Sequence, residues 1–135
     1  MFGDGKYPVQ PIYVDDVAKI AVDQGQLVEN TLVDATGPDT FEYREFLDIL
    51  SKAMGRRNIY IPIPDWLTLM VGQFMGLLLQ DIVITEAEIR GLKQGLMASS
   101  KEPLGTTSFE AWAKENGNEL GRKYRNDIKI RKYVK

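Results

Sequence analysis

The stretch Val9-Gln10-Pro11-Ile12-Tyr13-Val14-Asp15-Asp16-Val17-Ala18 sets a strand pattern directly against a helix start. Strand side chains alternate, so Val9, Pro11 and Tyr13 share one side and Ile12 and Val14 the other. Asp15-Asp16 then offers a carboxylate to the unpaired N–H groups opening a helix over residues 17–24. Its negative charge suits the positive helix terminus. Asp16 is accordingly assigned to capping and not to catalysis. A chain with this junction mixes strands and helices along its length.

The remaining periodicity extends that outline. Residues 30–35 (NTLVDA) read as a second strand, followed by the turn Gly37-Pro38-Asp39. A helix over about 41–54 places Phe46, Leu47, Ile49, Leu50 and Ala53 on one face, and Gly55 stands where a C′ glycine ends a helix. Residues 58–63 (NIYIPI) read as a third short strand, which Pro62 and Pro64 bar from a central place in a sheet. Asp65 is placed to cap an apolar helix over 66–79. Thr85-Glu86-Ala87-Glu88 has the spacing of a capping box. A loop over 97–107 leads to a last capped helix at Ser108-Phe109-Glu110-Ala111-Trp112, which Gly117 breaks. There is no repeat and no linker composition. The expectation is one small α+β domain over 1–135, with several helices and two or three short strands.

Residue types narrow the chemistry. The chain has no cysteine and no histidine. A disulfide framework and a thiolate zinc site are excluded, and the commonest general base and zinc ligand are missing together. A hydrophobic share of 44% and a charged share of 27% are those of an ordinary soluble chain. Residues 1–10 are polar and Gly-rich without an apolar h-region, so no signal peptide is read and the cytoplasm is the expected compartment. Charge is unevenly divided. Residues 1–121 hold ten Lys/Arg against eighteen Asp/Glu, whereas 122–135 hold seven Lys/Arg against Asp127 alone. Tyr124, Ile128, Ile130, Tyr133 and Val134 interleave with these cations, which favours a tail docked by its apolar side over one held by an anion or a membrane.

Three phrases carry a family resemblance. They are Phe2-Gly3-Asp4-Gly5-Lys6-Tyr7 with the junction at 9–18, the turn and helix Ala35-Thr36-Gly37-Pro38-Asp39-Thr40-Phe41-Glu42-Tyr43-Arg44-Glu45, and Leu104-Gly105 followed by Thr107-Ser108-Phe109-Glu110-Ala111-Trp112. In this order the chain resembles the C-terminal, substrate-side portion of extended and atypical short-chain dehydrogenases/reductases, the NAD(P)-dependent epimerase/dehydratase superfamily. It is most similar to the branch with complex I 39-kDa-subunit-like and NmrA-like proteins. The resemblance implies a parent whose N-terminal Rossmann domain binds NAD or NADP and supplies the proton-transfer groups. The present portion would then close over the substrate and set specificity.

Departures from that pattern are specific. No Gly-rich turn lies between a strand and a helix, where backbone N–H groups would meet a pyrophosphate. Gly3 and Gly5 precede a strand, and Gly91 and Gly95 lie within or after a helix. The Tyr-x-x-x-Lys pair is also missing. Tyr43, Tyr60 and Tyr124 are followed four residues on by Leu47, Pro64 and Ile128, and Tyr7 and Tyr13 by Pro11 and Val17. Val9 stands where nucleotide-sugar epimerases often carry a diphosphate-binding arginine. Glu42 replaces the usual capping threonine, so Thr40 or Asp39 is expected to cap. Neither catalytic nor cofactor-binding nor metal-ligating residues are assigned, and no cofactor is expected to bind this portion alone. Tyr13 is the candidate substrate contact, weighed against a packing role. Gln10 is the alternative if a bulge reverses the strand. Asp15 and Glu45 read as solvated or capping groups rather than an acid/base pair.

The stretch Trp66–Leu79 is apolar nearly all round yet shorter than the ~20 residues that span a bilayer. Burial against neighbouring helices is its first reading. Covering a substrate cleft, where methionine tolerates varied shapes, is the second, and lying on a membrane surface the third. Trp66 and Met70 are the candidate cleft or interface residues. The expected partner is the Rossmann domain of the parent, with no nucleic acid, and membrane contact ranks last. Cut from that partner, the chain would expose an apolar patch and self-associate as a two-fold dimer near Trp66 or Met70. Two other readings stand beside this one. The parent could be a non-catalytic dinucleotide-sensing or assembly protein of the same fold, or the chain a self-contained interaction module.

Overall fold

The computed structural model describes Met1 and residues 3–132, the side chains of Asp127, Arg131 and Lys132 excepted. The elements run β1 (Pro8–Val9), α1 (Val14–Gly25), β2 (Phe41–Glu42), α2 (Tyr43–Ala53), α3 (Asp65–Leu79), α4 (Glu86–Lys93), α5 (Phe109–Asn116) and α6 (Asp127–Lys132). Among the described residues this is a small α+β fold, six helices around one two-stranded antiparallel ladder. Pro8 pairs with Glu42 and Val9 with Phe41. Backbone bonds extend the ladder on both sides: Tyr43 N–H donates to Tyr7 at 2.8 Å and Gln10 N–H to Met97 at 2.8 Å.

Prolines explain why the strands are shorter than the alternation suggests. The expected strand over 9–14 pairs only at its start. Pro11 has no N–H to donate, and Tyr13 already serves as N-cap of α1 with extended backbone, φ −73° and ψ 141°. Residues 30–35 form no strand. They meet no neighbouring strand among the described residues, and Asp34 is tied by its side chain instead, to Ser99 Oγ at 2.6 Å and Lys101 Nζ at 3.1 Å. Residues 58–63 reduce to a single bridge at Ile63, flanked by Pro62 and Pro64. Its N–H donates to Met1 at 3.1 Å, and its carbonyl accepts from Gly3 at 3.3 Å.

The densest packing joins α2 to α5. Phe109 stacks on Phe46 with ring centroids 4.6 Å apart, meets Phe41 edge-on at 5.7 Å and lies 6.5 Å from Trp112. Ala113 on the same helix is completely buried. The end of α5 touches α2 closely: a Cβ on Gly117 would stand 2.3 Å from the Ala53 carbonyl oxygen. Helix α2 ends as its glycine predicts. Gly55 takes φ +67°, its N–H donates to Lys52 at 3.0 Å, and Arg56 N–H donates to Ser51 at 2.8 Å. These two bonds complete a Schellman motif, satisfying carbonyls that would otherwise be orphaned.

Cap assignments divide. The box at α4 forms as its spacing predicts: Glu88 N–H donates to Thr85 Oγ1 at 3.2 Å while Glu88 Oε2 accepts from Thr85 N–H at 2.7 Å. Three other assignments are corrected. Helix α1 begins at Val14, so Asp16 lies inside its first turn and caps no helical N–H. Asp65 opens α3 behind Pro64 and gives its carboxylate to Lys93. The N-cap of α2 is Glu42, with neither Thr40 nor Asp39 in place.

Burial of α3 is also corrected. Its Gly72 is buried under Ile84, yet most of its large side chains face solvent. Among the described residues no helix is long and apolar enough to cross a membrane. Near its end, Asp81 accepts from Tyr124 Oη at 2.5 Å and from Ile128 N–H at 3.3 Å, tying the basic tail to this helix. The tail docks here through polar groups. Tyr133 and Val134, assigned to apolar docking, lie outside the described residues.

Candidate ligand cleft

Three separate stretches converge beside α5. Residues 11–13 lead from β1 into Val14 at the start of α1, residues 107–108 turn into α5, and Phe46 projects from α2. Between them lies a cleft of about 300 Å³, lined by Ile12, Tyr13, Phe46, Ser108, Phe109 and Trp112 among others. A volume of that order suits a small ligand, and aromatic walls with few polar groups are typical of such sites. Phe109 and Trp112 are three residues apart, which puts both rings on one helix face.

The polar groups of the cleft are distinct in state. Tyr13 lies beside Asp15, whose negative charge and hydrogen bond hold its phenol above the usual range. The hydroxyl thus stays protonated at neutral pH and donates to Asp15, which leaves its oxygen as an acceptor for a ligand. Ser108 is the N-cap of α5, yet its side chain makes no capping bond. Its hydroxyl therefore remains open to a ligand.

Asp16 organises the rim. Its Oδ2 accepts from Thr106 N–H and Thr107 N–H, both at 2.8 Å, and these bonds hold the carboxyl below the usual carboxylate range. The side chain read as a cap for α1 thus pins the turn before α5 against α1. A carboxylate depressed in the folded state stabilises the fold above its unfolded pKa of about 4, and that contribution disappears as pH falls through the lower folded value. Asp16→Ala is therefore expected to melt below the parent chain at pH 6 to 8, with the difference closing on acidification below about pH 4. Thermal melts of both proteins across that range check this. A gap that persists unchanged in acid would remove the charge from the account.

Gln10 lies behind the cleft and not in it. Its Nε2 donates to Gly37 O at 2.9 Å and its Oε1 accepts from Ser99 N–H at 3.0 Å, so both ends of the amide join backbone segments. Gly105 N–H donates to Thr36 O at 2.8 Å in the same region. Of the sequence candidates, Tyr13 is in the cleft. Trp66 and Met70 are on α3, outside its lining. Phe46, Phe109, Trp112 and Ser108 were legible as core and cap positions only.

A second, larger groove of about 790 Å³ runs along α2 and α5. Arg44, Lys52 and Lys114 there stand among Glu42, Glu45, Asp48 and Glu110, so its charges largely compensate one another. Glu45 lines this groove while Asp15 sits beside Tyr13, and the structure brings no acid/base pair of the two together. Among the described residues no cluster of three or more His, Cys, Asp or Glu could hold a metal ion. Comparison with family models, with curated proteins and with solved structures returned no match.

Proposed function

We propose that this chain is the substrate-binding, lid-forming portion of an NAD(P)-dependent epimerase/dehydratase or reductase-like protein, inactive by itself. The observation that carries the reading is the aromatic cleft with Tyr13 on its wall, at the junction where the resemblance places the substrate. In this role Phe46, Phe109 and Trp112 enclose an apolar part of the substrate. Tyr13 and Ser108 orient its polar group. The dinucleotide and the proton-transfer groups come from a Rossmann domain, in the cytoplasm.

Exposed apolar residues beside the fold support the need for that partner. Val28 and Leu32 stand 103% and 89% exposed on a segment that is free of any ladder. A parallel sheet edge supplied by the Rossmann half would pair this backbone and cover these side chains. Hydrogen exchange tests this directly. Adding the dinucleotide-binding half in trans is expected to slow exchange of amides 28–36 while α4 is unaffected. If those amides exchange as fast with the partner as without it, the segment is not the domain junction and the reading falls.

A further inference from the structure

The run 66–79 contains no charged residue, and as α3 it turns a broad apolar stripe to solvent. Trp66, Met70, Phe74, Leu77 and Leu78 follow three- and four-residue spacing and share that stripe. They are exposed by 67, 54, 61, 78 and 64%. The other side of the helix is fixed by close contacts. A Cβ on Gly72 would stand 2.4 Å from Ile84 Cγ2, and one on Gly76 2.6 Å from Asp81 O. The exposed stripe is thus the face the fold presents.

An in-plane membrane helix usually carries its own lysines and arginines. Here they come from the neighbouring segment. Arg122, Lys123, Arg125 and Lys129 are exposed, and among the described residues none of them enters an ion pair. Asp127 is the single acid among residues 122–129, leaving cations in excess. The segment is anchored at the C-terminal end of α3. Asn126 Nδ2 donates to Leu79 O at 3.0 Å and Gln80 O at 3.2 Å, and Tyr124 and Ile128 bind Asp81.

We infer that α3 and residues 122–129 together form a docking surface for an anionic lipid bilayer. Fifteen helical residues reach about 22 Å, short of the ~30 Å hydrocarbon core. The helix therefore lies in the membrane plane, its stripe below the headgroups, while the four cations meet lipid phosphates. Apolar burial and basic charge are the two signals that peripheral attachment requires. A second copy fits less well. A two-fold contact through α3 would gather two cation clusters at one interface, and the acid of α3, Asp65, is already paired with Lys93.

The test is co-sedimentation of the chain with vesicles of phosphatidylcholine alone or with about 30% phosphatidylserine. Affinity for the anionic vesicles is expected to be about tenfold higher or more at 0.1 M salt, and to approach the neutral value at high salt. In a Trp112→Phe background, brominated acyl chains should quench Trp66. Leu77→Ser with Leu78→Ser should weaken binding to both vesicle types. Arg122→Glu, Lys123→Glu and Arg125→Glu combined should abolish the anionic preference. Leu77, Leu78, Arg122, Lys123 and Arg125 are exposed, and circular dichroism checks that each variant folds. Equal affinity for both vesicle types, or an unquenched Trp66, overturns the inference. So does a dimer that shields Trp66 and excludes vesicles. Displacement of vesicles by the dinucleotide-binding half also overturns it, yet would support the proposed domain pairing.

Discussion

Gly37→Ala is expected to destabilise the chain by about 3–5 kcal/mol, enough to leave much of it unfolded near 37 °C. Gly37 is buried, and a Cβ there would stand 1.8 Å from Pro11 O and 2.9 Å from Pro11 C. Both are backbone atoms, so no rotamer change relieves the clash. Residues 36–37 must move away from 11–12. That movement breaks the Gln10 bond to Gly37 O and strains the Gly105 bond to Thr36 O, each worth about 1 kcal/mol net. Gly91→Ala is the matched control. It sits in α4 with nothing within 4 Å of its Cβ position, and should stabilise by about 0.5–1 kcal/mol through helix propensity. Urea denaturation of both variants decides the matter. Equal midpoints for the two would mean the 11–37 contact is not a fixed part of the fold.

Phe109→Ala carries the second large effect. This ring is the hub of the aromatic cluster, meeting Phe41, Phe46 and Trp112 at once. Complete burial would set the loss at about 3–5 kcal/mol. Phe109 is half-buried, so about 2–4 kcal/mol is expected. The stacked pair with Phe46 should show a coupling of about 0.5–1.5 kcal/mol in a double-mutant cycle. The same change opens the cleft wall, so a ligand should weaken more than stability alone explains. A coupling near zero would show that the two rings are neighbours without interacting.

What the sequence reveals depends on the range of each signal. Gly55 and the Thr85–Glu88 box act within four residues, and both form as read. The α2 face and the break at Gly117 are local too, and they place the α2–α5 core. Strands are different, because a strand exists only where a partner supplies the ladder. The alternation at 9–14 and the β-prone letters at 30–35 and 58–63 say nothing of that partner. Prolines and missing neighbours cut the ladder to Pro8–Val9 with Phe41–Glu42.

Polar side chains follow the same rule. Asp15-Asp16 before a helical pattern reads as a cap, but the helix starts at Val14 and Asp16 reaches residues ninety positions away. Gln10, the alternative contact if a bulge reversed the strand, has its amide bonded to residues 37 and 99. Tyr13 alone among the site candidates reaches the cleft. Its aromatic companions arrive from α2 and α5, a convergence that no local pattern encodes. The apolar run of α3 told that something must cover it, and composition could not say what.

The central claim is that this chain holds a substrate cleft but depends on another domain for its dinucleotide. Calorimetric titration of the chain alone with NADH and with NADPH tests it most directly. No Gly-rich strand-to-helix turn is present to receive a pyrophosphate on backbone N–H groups, so no binding heat is expected with either nucleotide at micromolar protein. Micromolar affinity for NADH or NADPH would contradict the account and place a dinucleotide site within these 135 residues.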